Sequence, residues 1–275
     1  KTCKLTSGGS KVTVKAKVKK KTATMGSKLY LLALNANKSE TKKLSAKPIA
    51  SVKAKKGTVT LKAGFNSSML YQKFAVAYKK GSKYQILGDA SYLTNPEALA
   101  TYTGSGPAVT SKKGLQVEDL DDSLSLGAQH VVINWTLNSL LNQKATNQTS
   151  FTYKNKTYQI DADQLKKHDE QVQAYNAAGA RVTIILLLPK DGASTGTSAG
   201  DNYTLYSSIK TSSNAGRLTF EAIMDFLGKR YGTAERLVSG WILGNEVNSP
   251  YIWNYGGNKK LATYMDNYAR AFHIC

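Results

Sequence analysis

Arg181-Val182-Thr183-Ile184-Ile185-Leu186-Leu187-Leu188, residues 181–188, decides how the second half of this chain is read. The run is almost continuously apolar, so both of its faces must be covered, as for a strand inside a parallel sheet. It is about a third of the length a membrane span needs, and no transmembrane helix is expected. Ahead of it, residues 161–178 carry helical periodicity, with Asp161 and Gln164 as a capping-box-like start and Gly179 as a left-handed stop. The same grammar extends outward. Residues 114–117 predict a short strand, 118–126 a helix ending at Gly127, and 130–134 a buried strand. Beyond the quoted run, 219–231 predict a helix ending at Gly232, and 238–243 a strand entering Gly244-Asn245-Glu246. Strand and helix in alternation predict an α/β part with a parallel sheet. Its helix-to-strand connections are short. Its strand-to-helix connections are long, about 25 residues after Asn134 and about 30 after Leu188, a length that usually means a site. Such loops leave the carboxyl ends of strands, where α/β folds place their chemistry.

The chain has 275 residues, 41% hydrophobic and 20% charged, with a net charge of +20. This composition excludes wholesale disorder, and the length leads to an expectation of two domains. Residues 1–114 hold 23 lysines, no arginine and three acids (Glu40, Asp89, Glu97), so 23 − 3 = +20 lies entirely there. Residues 115–275 hold 15 basic and 15 acidic residues and are neutral. So sharp a break marks a boundary near Gly114. The division drawn is a lysine-rich β-sandwich over residues 1–106 and the α/β part over 107–275. Both ends look cut: the chain starts at Lys1 and stops at Cys275 within an amphipathic pattern. Cys3 and Cys275 are the only cysteines, which gives neither a disulfide framework nor a zinc site.

In the basic segment, Val12, Val14, Ala16 and Val18 alternate with Lys11, Lys15, Lys17 and Lys19. Period two with one apolar face is a half-buried strand. Similar runs at 28–34, 47–52, 57–63, 69–78 and 83–87 are separated by turns, among them Asn35-Ala36-Asn37, Lys56-Gly57 and Lys80-Gly81. Short strands without a helical pattern predict an immunoglobulin-like sandwich. The lysines could form a surface for an acidic polymer. The plainer reading is that lysine populates wet faces and blocks edge pairing, and it is preferred because the lysines spread over many strands. Nucleic acid is not expected as a partner, since arginine, suited to bidentate phosphate and guanine contacts, is absent here.

Trp241-Ile242-Leu243-Gly244-Asn245-Glu246-Val247-Asn248 resembles the fourth strand of a clan-A (β/α)8 glycoside hydrolase, and the strand count above also makes it the fourth. Three further stretches carry a wider resemblance: Tyr92-Leu93-Thr94-Asn95-Pro96-Glu97, Ser111-Lys112-Lys113-Gly114-Leu115, and Val247 through Gly257. They are similar to a largely uncharacterised family of secreted bacterial proteins with an N-terminal β-sandwich and a glycosidase-like barrel. The resemblance implies the first half of a (β/α)8 barrel, a carbohydrate substrate, an extracellular or cell-surface setting, and no cofactor. It also implies that Glu246 is the general acid/base and that Asn245 bonds the sugar hydroxyl beside the anomeric carbon.

Glycosidic cleavage needs two carboxyls, one to protonate the leaving oxygen and one to attack or to activate water. Glu246 must keep its proton near neutral pH, which calls for burial or a neighbouring carboxylate. Trp253 and Tyr255 lie downstream as platforms for sugar rings, and Asn134 and Trp135 end the second strand at the same mouth. The competing reading makes Asn245 and Glu246 a helix start. In the resembled clan the nucleophile is a glutamate on the seventh strand, so a chain ending after the fourth is expected to be inactive alone. Asp163, Asp191 and Asp201 match no nucleophile position. If no nucleophile exists, the alternative is a non-catalytic surface protein that binds carbohydrate or an anionic polymer. Gly192-Ala193-Ser194-Thr195-Gly196 matches the string of a nucleophile elbow but lacks its tight strand-to-helix turn. His130, mid-strand, reads as a core histidine. No metal-ligand spacing, phosphate loop or dinucleotide fingerprint is present.

Overall fold

Alternation along residues 11–18 becomes strand β2 of an antiparallel sheet in the computed structural model, which describes residues 1–35, 44–116, 119–189 and 203–275. The chain divides into two units, Lys1–Thr101 and Tyr102–Cys275. The first contains β1 (Thr2–Thr6), β2 (Lys11–Val18), β3 (Lys28–Leu34), β4 (Pro48–Lys53), β5 (Gly57–Gly64), β6 (Lys73–Lys80) and β7 (Lys83–Ile86). They form two sheets, in the orders β1-β2-β5 and β4-β3-β6-β7, antiparallel throughout. One buried cluster draws on both sheets: Val12, Val14 and Leu61 from the first, Leu29, Leu31, Phe74 and Val76 from the second. Burying each such side chain stabilises by about 1.5–3 kcal/mol, and this shared layer holds the sheets face to face. Strand β3 reads as nearly all apolar because its other face is covered too, with Leu32 and Leu34 packing on Ala75, Ala77 and Leu44. The initial strand β1, which alternates Cys3 and Leu5 inward, was not anticipated.

The second unit opens with β8 (Gly114–Gln116), α1 (Leu120–Ser125), β9 (His130–Thr136) and α2 (Leu137–Leu140). It continues through β10 (Gln148–Tyr153), β11 (Lys156–Asp161), α3 (Ala162–Ala177), β12 (Arg181–Leu187), α4 (Asn214–Arg230), β13 (Val238–Leu243) and α5 (Leu261–Ile274). Strands β8, β9, β12 and β13 are parallel, and their order in the sheet is their order in the chain. The helices start and stop where the local chemistry requires. Asp161 Oδ1 accepts from the amides of Asp163 and Gln164 at 3.1 and 3.0 Å, and Gly179 at φ 78° closes α3. Ser213 Oγ caps α4 by accepting from Gly216 N at 3.1 Å.

Parallel register puts Ile133, Ile184 and Trp241 in one row and Trp135, Leu186 and Leu243 in the next, on the same face of the sheet. This face lies under the helices, among Leu165 and Val172 of α3 and Phe220 and Leu227 of α4, all buried. On the opposite face Asn134 is exposed and Ile242 is 44% exposed, with the buried Ile185 between them in register.

The connection after Asn134, expected as a loop, instead folds into α2 and an antiparallel hairpin, β10–β11. Lys154 and Asn155 at its tip have φ of 47° and 62°. Left-handed conformation at both central residues marks the turn whose twist matches a two-residue hairpin. Glu221 of α4, fully buried, receives that tip. It accepts from Lys154 Nζ at 2.9 Å and Tyr153 Oη at 3.2 Å, and pairs with Arg217 on its own helix. No helix among the described residues is long and apolar enough to cross a membrane.

Candidate functional site

Two segments meet at the carboxyl ends of β12 and β13. One is residues 204–209, ahead of α4; the other is residues 244–260, between β13 and α5. They are laced by backbone bonds: Ile252 O accepts from Leu205 N and Tyr206 N at 2.8 and 3.1 Å, Tyr206 O from Tyr255 N at 2.9 Å, and Tyr255 O from Ser208 N at 2.9 Å. The first segment is tied to its own strand, Ser207 N donating to Leu188 O at 2.6 Å.

Helix α5 holds the second segment from below with two tyrosines. Tyr264 Oη donates to Val247 O at 2.8 Å and accepts from the buried Asn254 Nδ2 at 2.6 Å. Tyr268 Oη donates to Leu243 O at 3.1 Å. Burial raises the pKa of both phenols, so they remain donors across the physiological range. Gly256 is required here: a Cβ would come within 2.7 Å of the Tyr264 ring. Below the turn, Ser208, Asn254 and Tyr268 line a cavity of about 10 Å³, room for one water, and Ser208 Oγ is buried without a partner among the described residues.

Glu246 stands at the head of this turn, with its carbonyl accepting from Ser249 N at 2.7 Å. Its φ is 40°, the left-handed region, two residues after Gly244 at 73°. A side chain there costs of order 1–3 kcal/mol that glycine would avoid, and such strain persists where surrounding bonds over-determine it. The clamp from Tyr264 and Tyr268 supplies those bonds. No helix starts at Asn245, since the next one, α5, begins at Leu261, so the helix-start reading of the pair does not apply.

Asn245 is half-buried and Glu246 exposed, so the partial burial expected of a proton-holding carboxyl is not built into the chain itself. Trp253 and Tyr255 are half-buried in the same laced segment, Trp253 stacking on Tyr206 with ring centroids 5.9 Å apart. Asn134 lies two strands away on the open face of the sheet.

Trp135 requires a correction. It is 1% exposed and lies beneath the helices, stacked on His168 at 4.1 Å and packed against Tyr231 and Trp241. Period two in the strand turns it to the face opposite Asn134, where no sugar can reach it. Asp163 is exposed in the first turn of α3 and accepts from Asn147 Nδ2 at 2.9 Å. Asp191, Asp201 and the Gly192–Gly196 string lie outside the described residues. No group of three or more His, Cys, Asp or Glu that could hold a metal ion occurs among the described residues.

The sequence reading missed a second charged cluster. Asp169 of α3 takes a bidentate contact from Arg230, one bond at 2.8 Å, and a contact from Arg236 at 3.1 Å. Burial works to raise this carboxyl, but the bonds and charges of the two arginines outweigh it and hold the pKa below its ordinary value. Beside it, burial pushes His168 from 6.5 down to about 4, against the pull of Asp169.

The unfolded chain binds a proton at His168 more readily than the folded one. A neutral folded imidazole adds its full stability above pH 6.5, and that contribution drains away as the pH falls toward 4. The total is up to about 3 kcal/mol at 1.36 kcal/mol per pKa unit. His168→Phe, which keeps a ring against Trp135, should flatten the urea midpoint between pH 6.5 and 4. An unchanged slope would remove His168 as the source. Asp169 acts in a lower window, its contribution lost as pH falls through its depressed pKa.

No curated protein sequence matches the chain. Among solved structures, a cyclomaltodextrinase is similar at 10% identity with a TM-score of 0.29, covering 96% of this chain. The chain spans 55% of the length of that structure, and a superposition this weak assigns no fold. Residues 105–275, which include the whole laced site, match the model of a family of unknown function, DUF5722, and the chain belongs to that family.

Proposed function

We propose that the protein is carbohydrate-active and cleaves glycosidic bonds with Glu246 as general acid/base. In this reading β8, β9, β12 and β13 are the first four strands of a (β/α)8 barrel. The first unit is an immunoglobulin-like sandwich, and the setting is extracellular or at the cell surface. The observation that carries the reading is the backbone of Glu246, a carboxylate held left-handed just beyond the carboxyl end of the fourth parallel strand. Strain kept at such a position points to a group whose placement matters more than its cost.

Glu246 would protonate the leaving glycosidic oxygen and then take a proton from water, with Asn245 bonding the neighbouring hydroxyl. The free carboxylate is exposed, so the substrate must complete its environment. A sugar ring resting on Trp253 or Tyr255 would displace water from around it. A retaining mechanism further needs a second carboxylate roughly 5–5.5 Å away. In this reading that second carboxylate is the nucleophile, and it is not assigned among the described residues.

The test is Glu246→Gln in the full-length protein, assayed on an unactivated oligosaccharide and on an aryl glycoside with a good leaving group. Loss of general acid catalysis should slow the first by about a hundredfold or more and spare bond breaking in the second. Equal, undiminished turnover of the unactivated substrate would end the assignment.

A further inference from the structure

We propose that the outer face of the β1-β2-β5 sheet is a docking surface for a linear acidic polysaccharide. This inference concerns the first unit alone and does not rest on the role of Glu246. The three strands bring together lysines that the sequence leaves scattered. Facing away from the buried cluster are Thr2, Lys4 and Thr6 of β1, Lys11, Thr13, Lys15 and Lys17 of β2, and Thr58, Thr60 and Lys62 of β5. This face carries no acid, no aromatic ring and no aliphatic side chain.

Register arranges these residues in rows across the sheet: Thr6–Lys11–Gly64, Lys4–Thr13–Lys62, Thr2–Lys15–Thr60 and Lys17–Thr58. No lysine stands directly opposite another, the pairing that repulsion penalises most. Rows repeat about every 6.8 Å along the strands, which lie about 4.8 Å apart. Five flexible ammonium groups therefore cover a patch roughly 10 Å by 20 Å, with the exposed hydroxyls of Thr2, Thr58 and Thr60 between them, while Thr13 is buried and shares a hydrogen bond with Thr6.

Wet-face placement explains why these residues are polar, but not why all the charges have one sign. Glutamate is equally soluble and would pair across the strands with lysine. The whole first unit offers only Glu40, Asp89 and Glu97 against 21 lysines, a net 21 − 3 = +18. Lys4, Lys11, Lys15, Lys17 and Lys62 are all exposed, and none has an ion-pair partner among the described residues. The opposite sheet differs at its centre, where the outward Leu32, Leu34, Ala75 and Ala77 pack around Leu44, while Lys28, Ser51, Lys53, Lys73 and Lys79 lie at outward positions around them.

The chemistry of the face selects among polyanions. Bases of single-stranded nucleic acid need aromatic platforms, and none is present on this face. Lysine acts as a point charge toward carboxylate or sulfate, and threonine both donates to and accepts from sugar hydroxyls. A chain of charged sugars matches both.

The test uses the 275-residue chain with polygalacturonate as the probe, in calorimetric titrations at low and high salt. Binding should weaken with salt, and fully methyl-esterified pectin, which lacks the charges, should not bind. Lys15→Glu, Lys17→Glu and Lys62→Glu together should weaken binding by about tenfold or more, as three exposed charge contacts predict. Lys79→Glu, Lys80→Glu and Lys83→Glu, on exposed positions at the β6–β7 turn, change the net charge equally and should cost less than about threefold. The milder triple Lys15→Gln, Lys17→Gln and Lys62→Gln should fall between, with an unchanged melting temperature showing the fold intact. Four results would each overturn the proposal: no binding of polygalacturonate by the intact chain, equal losses in the two glutamate triples, equal binding of the esterified polymer, or tighter binding of an oligothymidylate that displaces polygalacturonate.

Discussion

Glu221→Ala is expected to destabilise the second unit by about 3–5 kcal/mol, as removing one side of a buried ion cluster does. The carboxylate is fully buried in α4 and answers two cations, Arg217 one turn before it and Lys154 at the hairpin tip. Without it, Arg217 stays with only 16% of its side chain exposed and no other ion-pair partner among the described residues, while the hairpin loses its anchor. Lys154→Met should cost far less, because that ammonium is 38% exposed and water can replace its partner. The decisive comparison is Glu221→Leu combined with Arg217→Leu. If buried charge is the cause, the apolar pair should recover most of the loss, since packed hydrophobic residues often equal a buried ion pair. A double variant as unstable as Glu221→Ala would point to lost packing instead. Urea denaturation measures all of these, and hydrogen exchange at β10 and β11 should rise in Glu221→Ala.

Trp135→Ala is the second large effect, expected at about 3–5 kcal/mol for truncating a buried aromatic. The indole fills the space between β9 and the helices, touching His168, Tyr231 and Trp241. Its removal leaves a hole that rigid neighbours on three elements cannot close. Melting should fall by about 2–4 °C for each kcal/mol in a unit of this size. The variant should also lose part of its acid sensitivity, because water reaching His168 would bring that pKa back toward 6.5. A Trp135→Ala protein of unchanged stability would mean that the ring is not part of the core. Were Trp135 instead a sugar platform, its loss would be felt in substrate affinity with little change in melting.

The alternation of Val12 to Val18, the apolar run from Val182, and the glycines closing the helices are local signals, and the elements formed where those signals stood. Element type depends on period and on caps, which a chain carries in itself. Hairpin β10–β11 escaped notice because its tip is Lys154-Asn155 rather than an Asn-Gly pair, although Phe151, Tyr158 and Ile160 already alternate around it. The Asp169 cluster escaped because its arginines lie 61 and 67 residues away, a separation that no spacing rule links.

Sequence by itself determined the four parallel strands and their main helices in order, the one-sided charge and the Asn245-Glu246 pair at a strand end, but not β1, α2 or the β10–β11 hairpin. Tertiary structure alone decided three further things. It turned Trp135 inward and Asn134 outward, because only the packing of helices tells the two faces of a strand apart. It left Glu246 exposed on a left-handed turn, because that turn is held by tyrosines from a helix that follows it. And it made a continuous cationic face from lysines on β1, β2 and β5, because β5, distant in the chain, pairs with β2, an edge that residue spacing cannot reveal.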